Sequence, residues 1–236
     1  MNIEELESHY SYKFSLFYKH LWNAGMLDWM GGHTAPFSSN ENWEKTIYPK
    51  IKEKPPVLLH TGGFDFEMLR YDEMLHFKFD KCIDTKTHKF IPFAKTEEGN
   101  IFAFYEGIEH KGESVVVCIW DDMNETEVIA KNFEDFIFRK MLEATSDVDK
   151  DDLSADYSKK DFELYREDIL KDLGSIRSYL NSNYLQVLDE VYHREHVEDG
   201  LFSFSLLSSE ELAVLINKHL DFPERNKIFE YEADIK

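Results

Sequence analysis

The sequence predicts an α+β protein: an α/β sandwich with an antiparallel or mixed sheet flanked by helices, followed by a mostly helical C-terminal extension. Three observations carry this. Between Phe90 and Ala130, apolar runs of strand length recur between turn residues, rich in the β-branched and aromatic side chains that suit a pleated, half-buried surface. Phe133, Phe136, Ile137 and Met141 then recur at spacings of three and four, the apolar stripe of one helix. From Asp161 the helical period returns, through Phe162, Tyr165, Ile169, Leu173, Ile176 and Leu180. A sheet with helices against it makes a layered domain.

Taken in order, residues 3–27 read as one amphipathic helix, because Ile3, Leu6, Tyr10, Phe14, Phe17, Leu21 and Ala24 repeat at three and four. Gly25 and then Gly31-Gly32 end it. Residues 33–56 are loop-rich, with Pro36, Ser38-Ser39-Asn40 and Pro55-Pro56, and read as a functional loop or an insertion. Val57-Leu58-Leu59-His60 reads as a short strand before a turn at Gly62-Gly63, and Phe64-Asp65-Phe66 as another. Tyr71 to His76 fits one or two helical turns, and Phe77-Lys78-Phe79 alternates like an edge strand.

The run Phe90–Thr96 and the run Ile101–Tyr105 are joined by Glu97-Glu98-Gly99-Asn100, where Gly and Asn accept the positive φ that a tight turn requires. Phe102 and Phe104 lie two apart and so share one face of the sheet; Ile101, Ala103 and Tyr105 share the other. Val115 to Trp120 carries no polar alternation, which predicts a central strand covered on both faces. Asn132 is placed to cap the helix from Phe133, with Glu134 and Asp135 at its positive end. The acidic stretch 145–160 reads as a linker or a solvated helix start. Beyond it, Tyr184, Leu188 and Val191 form a second stripe, Leu201–Leu207 is extended, and Ser208-Ser209-Glu210-Glu211 is a capping box opening a helix that Pro223 ends. Ile228-Phe229-Glu230-Tyr231 fits a last strand. The expected organisation is an α/β domain over 1–144, an acidic linker over 145–160 and a mostly helical extension over 161–236.

Bulk composition excludes several classes. The 236 residues are 42% hydrophobic and 15% aromatic, enough to fill a core. A net charge of −20 argues against a nucleic-acid backbone, which needs Lys and Arg against its phosphates, and against an anionic membrane surface. It suits a basic protein partner, because complementary fields speed encounter; solubility alone also accounts for it. Cys82 and Cys118 make no disulfide framework, and Cys118, inside an apolar strand, reads as a small core residue. The polar, acidic start is unlike a signal peptide, and no apolar run approaches the about 18–20 residues of a membrane helix. A cytoplasmic protein is expected.

Candidate chemistry is sparse. Asp147-x-Asp149-x-Asp151 opens like a calcium loop, yet Asp152 and Ser158 stand where such a loop needs Gly and Glu. His193 and His196 sit three apart, near enough to share a metal, with no Cys nearby to complete a zinc site. Gly31-Gly32 and Gly62-Gly63 are turns rather than phosphate loops. His60-Thr61, and Cys82 with His88, lack the third orienting group of a nucleophile–base set. No catalytic residue, metal or cofactor is expected. Asp121-Asp122-Met123-Asn124-Glu125 follows the central strand, and Asp121, Asp122 and Glu125 are the candidates for contact with a basic partner, against the alternative of an ordinary acidic turn.

The pattern Ile91-Pro92-Phe93-Ala94, Gly99-Asn100, Phe102 and Phe104, Val115 and Val117, then Ile129-Ala130, Phe133, Phe136 and Ile137 resembles the C-terminal half of the SUKH superfamily, which includes the yeast Smi/Knr cell-wall synthesis regulators and many bacterial proteins. These residues span about a quarter of the chain, and all are structural signatures. The N-terminal segment is compatible with the family's opening helix and Gly pair but lacks its usual Leu-Pro start. The resemblance implies a SUKH-like α/β domain and a non-enzymatic binding protein. In bacteria it implies an immunity protein that neutralises a cognate toxin, often a nuclease. The alternative is a regulatory scaffold in cell-wall synthesis or signalling.

Overall fold

A computed structural model describes residues 2–30, 43–63, 65–149, 159–199 and 203–231. In chain order the elements are α1 (Ile3–Tyr10), α2 (Leu16–Asn23), α3 (Trp43–Thr46), α4 (Tyr48–Ile51), β1 (Phe66–Met68), α5 (Tyr71–His76), β2 (Phe90–Thr96), β3 (Ile101–His110), β4 (Glu113–Ile119), β5 (Thr126–Ala130), α6 (Phe133–Glu143), β6 (Val148–Asp149), α7 (Lys159–Ile176), α8 (Ser182–Tyr192), β7 (Val197–Asp199), β8 (Ser203–Ser205), α9 (Ser209–Leu220) and β9 (Ile228–Phe229). This is the α+β fold that the alternating aromatics and the following helices predict. By its contacts the chain divides into two units, Met1–Ala24 with Asp65–Phe136 and Leu220–Lys236, and Gly25–Phe64 with Ile137–His219.

The first unit is built on a six-stranded sheet in the order β1-β2-β3-β4-β5-β9, antiparallel at every pairing. β4 lies inside it, and Val115 to Ile119 are all buried, as an apolar run without alternation requires. Phe102 and Phe104 share the face on which Phe133 and Phe136 of α6 pack, at ring distances of 5.3 Å for Phe102–Phe136 and 5.6 Å for Phe104–Phe133. Ile91 pairs with Phe104, so Phe93, two residues on, lies on this face too, 4.8 Å from Phe104 and fully buried. Ala103, Val115, Val117, Ile119 and Val128 form the core on the opposite face, with Phe90, Phe222 and Tyr231. The two faces thus divide as the period-two reading requires. Asn132 accepts a hydrogen bond from the Asp135 amide at 2.9 Å and caps α6.

The predicted helix over 3–27 is instead two. α1 ends at Ser11, whose φ of 48° is left-handed, and α2 starts from Ser15, whose hydroxyl accepts from the Tyr18 amide. The break turns Tyr12 and Phe14 inward, both nearly fully buried, against Phe104 at 5.7 and 5.8 Å. A continuous helix cannot present side chains two apart on one face; an irregular connector can. Glu7 fixes this connector, accepting from the Phe14 amide at 3.1 Å and from Lys13 and Lys19 at 2.7 and 2.6 Å. Phe77–Phe79 forms no strand: the two rings pack edge to face at 5.0 Å, with Phe79 on Phe90 at 6.0 Å. α5 forms over the predicted residues, and β1 starts at Phe66, Phe64 lying outside the described residues.

The second unit is helical with a small sheet in the order β6-β8-β7. Both predicted stripes are its core: Phe162, Ile169, Leu173, Ile176 and Leu180 are buried, as are Tyr184, Leu188 and Val191. Phe138 stacks on Tyr184 at 3.9 Å with the rings 6° apart. The capping box forms in both directions, Ser208 N–H to Glu211 Oε2 at 3.0 Å and Glu211 N–H to Ser208 Oγ at 3.2 Å. Val57–His60 is a turn rather than a strand. Leu58 has φ 62°, and its carbonyl accepts from the Gly62 amide at 2.9 Å. Three apolar residues and a histidine are too few for periodicity to separate a buried turn from a strand. Part of the loop-rich 33–56 is helical, as α3 and α4; Gly31-Gly32 and 33–42 lie outside the described residues. β6 lies inside the expected acidic linker, whose residues 150–158 are outside the described residues.

Candidate partner-binding site

The acidic turn joins β4 to β5. Trp120 closes it by donating its amide to the Glu125 carbonyl at 3.1 Å. Two distant residues hold it. Asn100, in the Gly-Asn turn before β3, accepts from the Asp121 amide at 3.1 Å. Tyr231, just past β9, lies with its hydroxyl 2.7 Å from the Trp120 carbonyl and 2.5 Å from the Met123 carbonyl, and donates its amide to Asn124 Oδ1 at 3.1 Å. Gly99 lies under the Asp121 carboxyl: with φ 98°, a Cβ there would sit 2.9 Å from the Asp121 carboxyl carbon. The positive φ is what calls for glycine here, since the exposed Asp121 side chain could swing aside.

On this frame Asp121 and Asp122 are exposed and Glu125 is half-buried, with Met123 47% exposed between them. None of the three carboxylates has an ion-pair partner among the described residues. The arrangement is a fixed turn carrying unneutralised negative charge, suited to meeting a basic surface. The three candidates come together because they are neighbours in sequence. Asn100 and Tyr231, which hold the turn, carry no local signal of that role.

The other sequence candidates fall elsewhere. Thr61 is buried; its hydroxyl and amide, with the His60 amide, all donate to Asp172 Oδ2, at 2.8, 2.9 and 3.0 Å. Burial raises the Asp172 carboxyl to about 7, against the lowering effect of these hydrogen bonds. Among the described residues, buried Asp172 Oδ1 has no hydrogen-bond partner. The group ties the 57–61 turn to α7. Its signal in the sequence is a lone carboxylate three residues after Ile169, on an otherwise apolar stripe.

His88 lies 3.0 Å from the Tyr105 hydroxyl and beside Phe90, while the Cys82 amide donates to Asp80; the two have separate partners. His193 follows α8 with its Nδ1 2.8 Å from the Asp189 carbonyl, and His196 packs on Phe162 at 4.5 Å. Among the described residues no three His, Cys, Asp or Glu side chains gather as for a metal, and no helix is long and apolar enough to cross a membrane. Asp151, Asp152 and Ser158 of the calcium-like run lie outside the described residues.

The first unit also carries a cleft of about 300 Å³ between the 12–16 connector, the β3–β4 turn and the start of α6. Its aromatic lining is Tyr12, Phe14, Phe104 and Phe133. The sequence gives no warning of it, because it exists only where the N-terminal helix breaks.

A family model described as "SMI1 / KNR4 family (SUKH-1)" matches residues 2–139, which takes in the two N-terminal helices, β1 to β5 of the six-stranded sheet and the first part of α6, and leaves β9 outside. No curated protein and no solved structure matches the chain.

Proposed function

From the premise that this chain belongs to the SMI1 / KNR4 family (SUKH-1), we propose that it is a non-enzymatic protein-binding module, acting as an immunity protein that neutralises a cognate toxin. The observation that carries the reading is the 121–125 turn: carboxylates without ion-pair partners, held in place by Asn100 and Tyr231, on a chain of net charge −20. Preorganised charge on a turn speeds encounter with a basic partner and selects it, and it involves no ordering cost at the moment of binding. The partner in this reading is a basic toxin domain, a nuclease among the candidates, since nucleic-acid-cleaving proteins carry positive surfaces for phosphate. The module works in the cytoplasm, where a toxin entering or made in the cell must be met.

The resemblance to the yeast Smi/Knr regulators motivates a second reading, a regulatory scaffold in cell-wall synthesis or signalling. Affinity purification of the tagged full chain from its native cells separates the two. One basic polypeptide with a toxin domain, recovered near equimolar, supports the immunity reading. A set of envelope-synthesis or signalling proteins, with no toxin-like mate, overturns it in favour of the scaffold.

A further inference from the structure

We infer that the 57–63 turn is a proton-controlled latch, closed on the protonated form of Asp172 and loosened when that carboxyl gives up its proton. The inference goes beyond the protein-binding reading and uses none of its residues. Every group it involves belongs to the second unit. Three features of the turn point to it.

The first is how the turn is fastened. At one end, Val57 donates its amide to the Met26 carbonyl at 2.8 Å and accepts from Trp29 Nε1 at 2.9 Å. At the other, the His60 and Thr61 amides and the Thr61 hydroxyl converge on one oxygen, Asp172 Oδ2. The second is where that carboxyl sits. Asp172 is 2% exposed, and its other oxygen is buried with no hydrogen-bond partner among the described residues. No cation among them pairs with it: Lys171, its neighbour in sequence, is bonded to Asp168 at 2.8 Å and Glu53 at 3.5 Å. A buried carboxylate without a counter-charge is costly, and the neutral acid is not. The third is strain. Leu58 has φ 62°, a left-handed backbone uncommon for any residue but glycine, with its side chain fully buried. Such a residue holds its conformation only while its surroundings over-determine it.

The groups around Asp172 set the direction of the latch. Burial drives its carboxyl up to about 7; the bonds from Thr61 and His60 oppose this, and Asp168, one turn back on α7, adds to it. Burial likewise keeps Tyr48 of α4 and Tyr192 of α8 neutral, and the Tyr192 hydroxyl donates to the Met141 carbonyl at 2.9 Å. His60, in the turn itself, is lowered by burial and so is also favoured uncharged when the turn is closed. Opening lets water reach the Asp172 carboxyl, which returns toward its ordinary value of about 4 and passes its proton to solvent. The advantage that Asp172 gives the closed form is therefore complete below about 4 and falls away as pH rises to about 7. His60 opposes this on the acid side of its ordinary range, where the open turn takes up a proton.

The test follows amide hydrogen exchange of the full chain by NMR from pH 5 to pH 8, each rate corrected for the intrinsic effect of pH. It compares the unmodified chain with Asp172→Asn, which keeps the acceptor and mimics the protonated acid. Both chains retain His60, so the ratio of their protection isolates Asp172. Relative to the variant, protection of the His60, Thr61 and Gly62 amides is expected to fall at least about tenfold from pH 5 to pH 8, since each pH unit between the closed and open values moves the equilibrium about tenfold. At pH 8 these amides are also expected to be at least about tenfold less protected than those of Leu188 and Val191 in α8, which marks a local opening. A second measurement needs no variant: the Asp172 carboxyl carbon resonance of the unmodified chain is expected to titrate with a midpoint of about 7. A ratio that stays flat with pH, equal protection of turn and α8, or a carboxyl midpoint at the ordinary value of about 4 overturns the inference. No partner enters either measurement, so their failure leaves the protein-binding reading standing.

Discussion

At the scale of single residues, two buried carboxylates do opposite things. Glu7 is buried, which raises its pKa, but hydrogen bonds and charge from Lys13 and Lys19 outweigh this and hold it below the usual range. Its contribution to stability is present above the ordinary carboxylate range and lost as pH falls through the lowered value. Asp172 is the reverse. Its carboxyl is raised to about 7, so the fold favours the protonated form. That contribution is complete below the unfolded value near 4 and is lost as pH rises through about 7. His60 nearby is lowered by burial, so its own contribution runs the other way on the acid side of its ordinary range. Asp172→Asn keeps one acceptor for the His60 and Thr61 donors and removes the titration. The expected outcome is a thermal midpoint closer to, or above, that of the unmodified chain at pH 8 than at pH 5. An identical pH dependence in both proteins would show that Asp172 does not titrate in this range. Asp172→Ala strands three donors, two backbone and one hydroxyl, and costs roughly 2–4 kcal/mol at pH 5 and less at pH 8, where the buried carboxylate it removes is charged.

At the scale of elements, what the sequence made legible was whatever lay in local periodicity. The two faces of β3, the burial of β4, the Asn132 cap and the Ser208–Glu211 capping box follow from spacings of two, three and four, and the structure has them all. The break at Ser11 was hidden because Tyr10, Phe14 and Phe17 keep a helical spacing across it; tertiary packing on Phe104 decides against the helix. β9 was legible as a strand, but not its place beside β5, nor the hold of Tyr231 on the acidic turn, which joins residues 108 apart. Tyr231→Phe keeps the buried ring and removes the hydroxyl shared by the Trp120 and Met123 carbonyls. A loss of about 1 kcal/mol is expected, with faster hydrogen exchange confined to the amides of 120–125. Unchanged exchange there would mean that Asn100 alone holds the turn. Lys at Asp121, Asp122 and Glu125 together is expected to slow association with the basic partner about tenfold at low salt and to weaken its salt dependence, with the fold intact. Unaltered association would place the interface elsewhere.

At the scale of the whole molecule, family membership rests on residues 2–139, and the helices α7 to α9 lie beyond the matched residues. The contact-defined units and the sequence divisions at 144 and 161 are different partitions: residues 25–64 group with Ile137–His219, while Leu220–Lys236 returns to the sheet through β9. The proposal that 145–160 is an acidic linker is tested by limited proteolysis of the full chain. First cleavage within 145–160, with Phe90–Trp120 intact, is expected; first cleavage inside Phe90–Trp120 would contradict it. The net charge of −20 belongs to this scale too: under the proposed function it would steer a basic partner from a distance before either surface makes contact. The central proposal is that the chain disarms a toxin by binding it, and co-expression with the basic toxin-domain polypeptide recovered by the native purification tests this most directly. The account predicts that growth is restored and that the two proteins elute together on gel filtration. Continued growth arrest with the chain folded and in excess, and no shared elution peak, would contradict it.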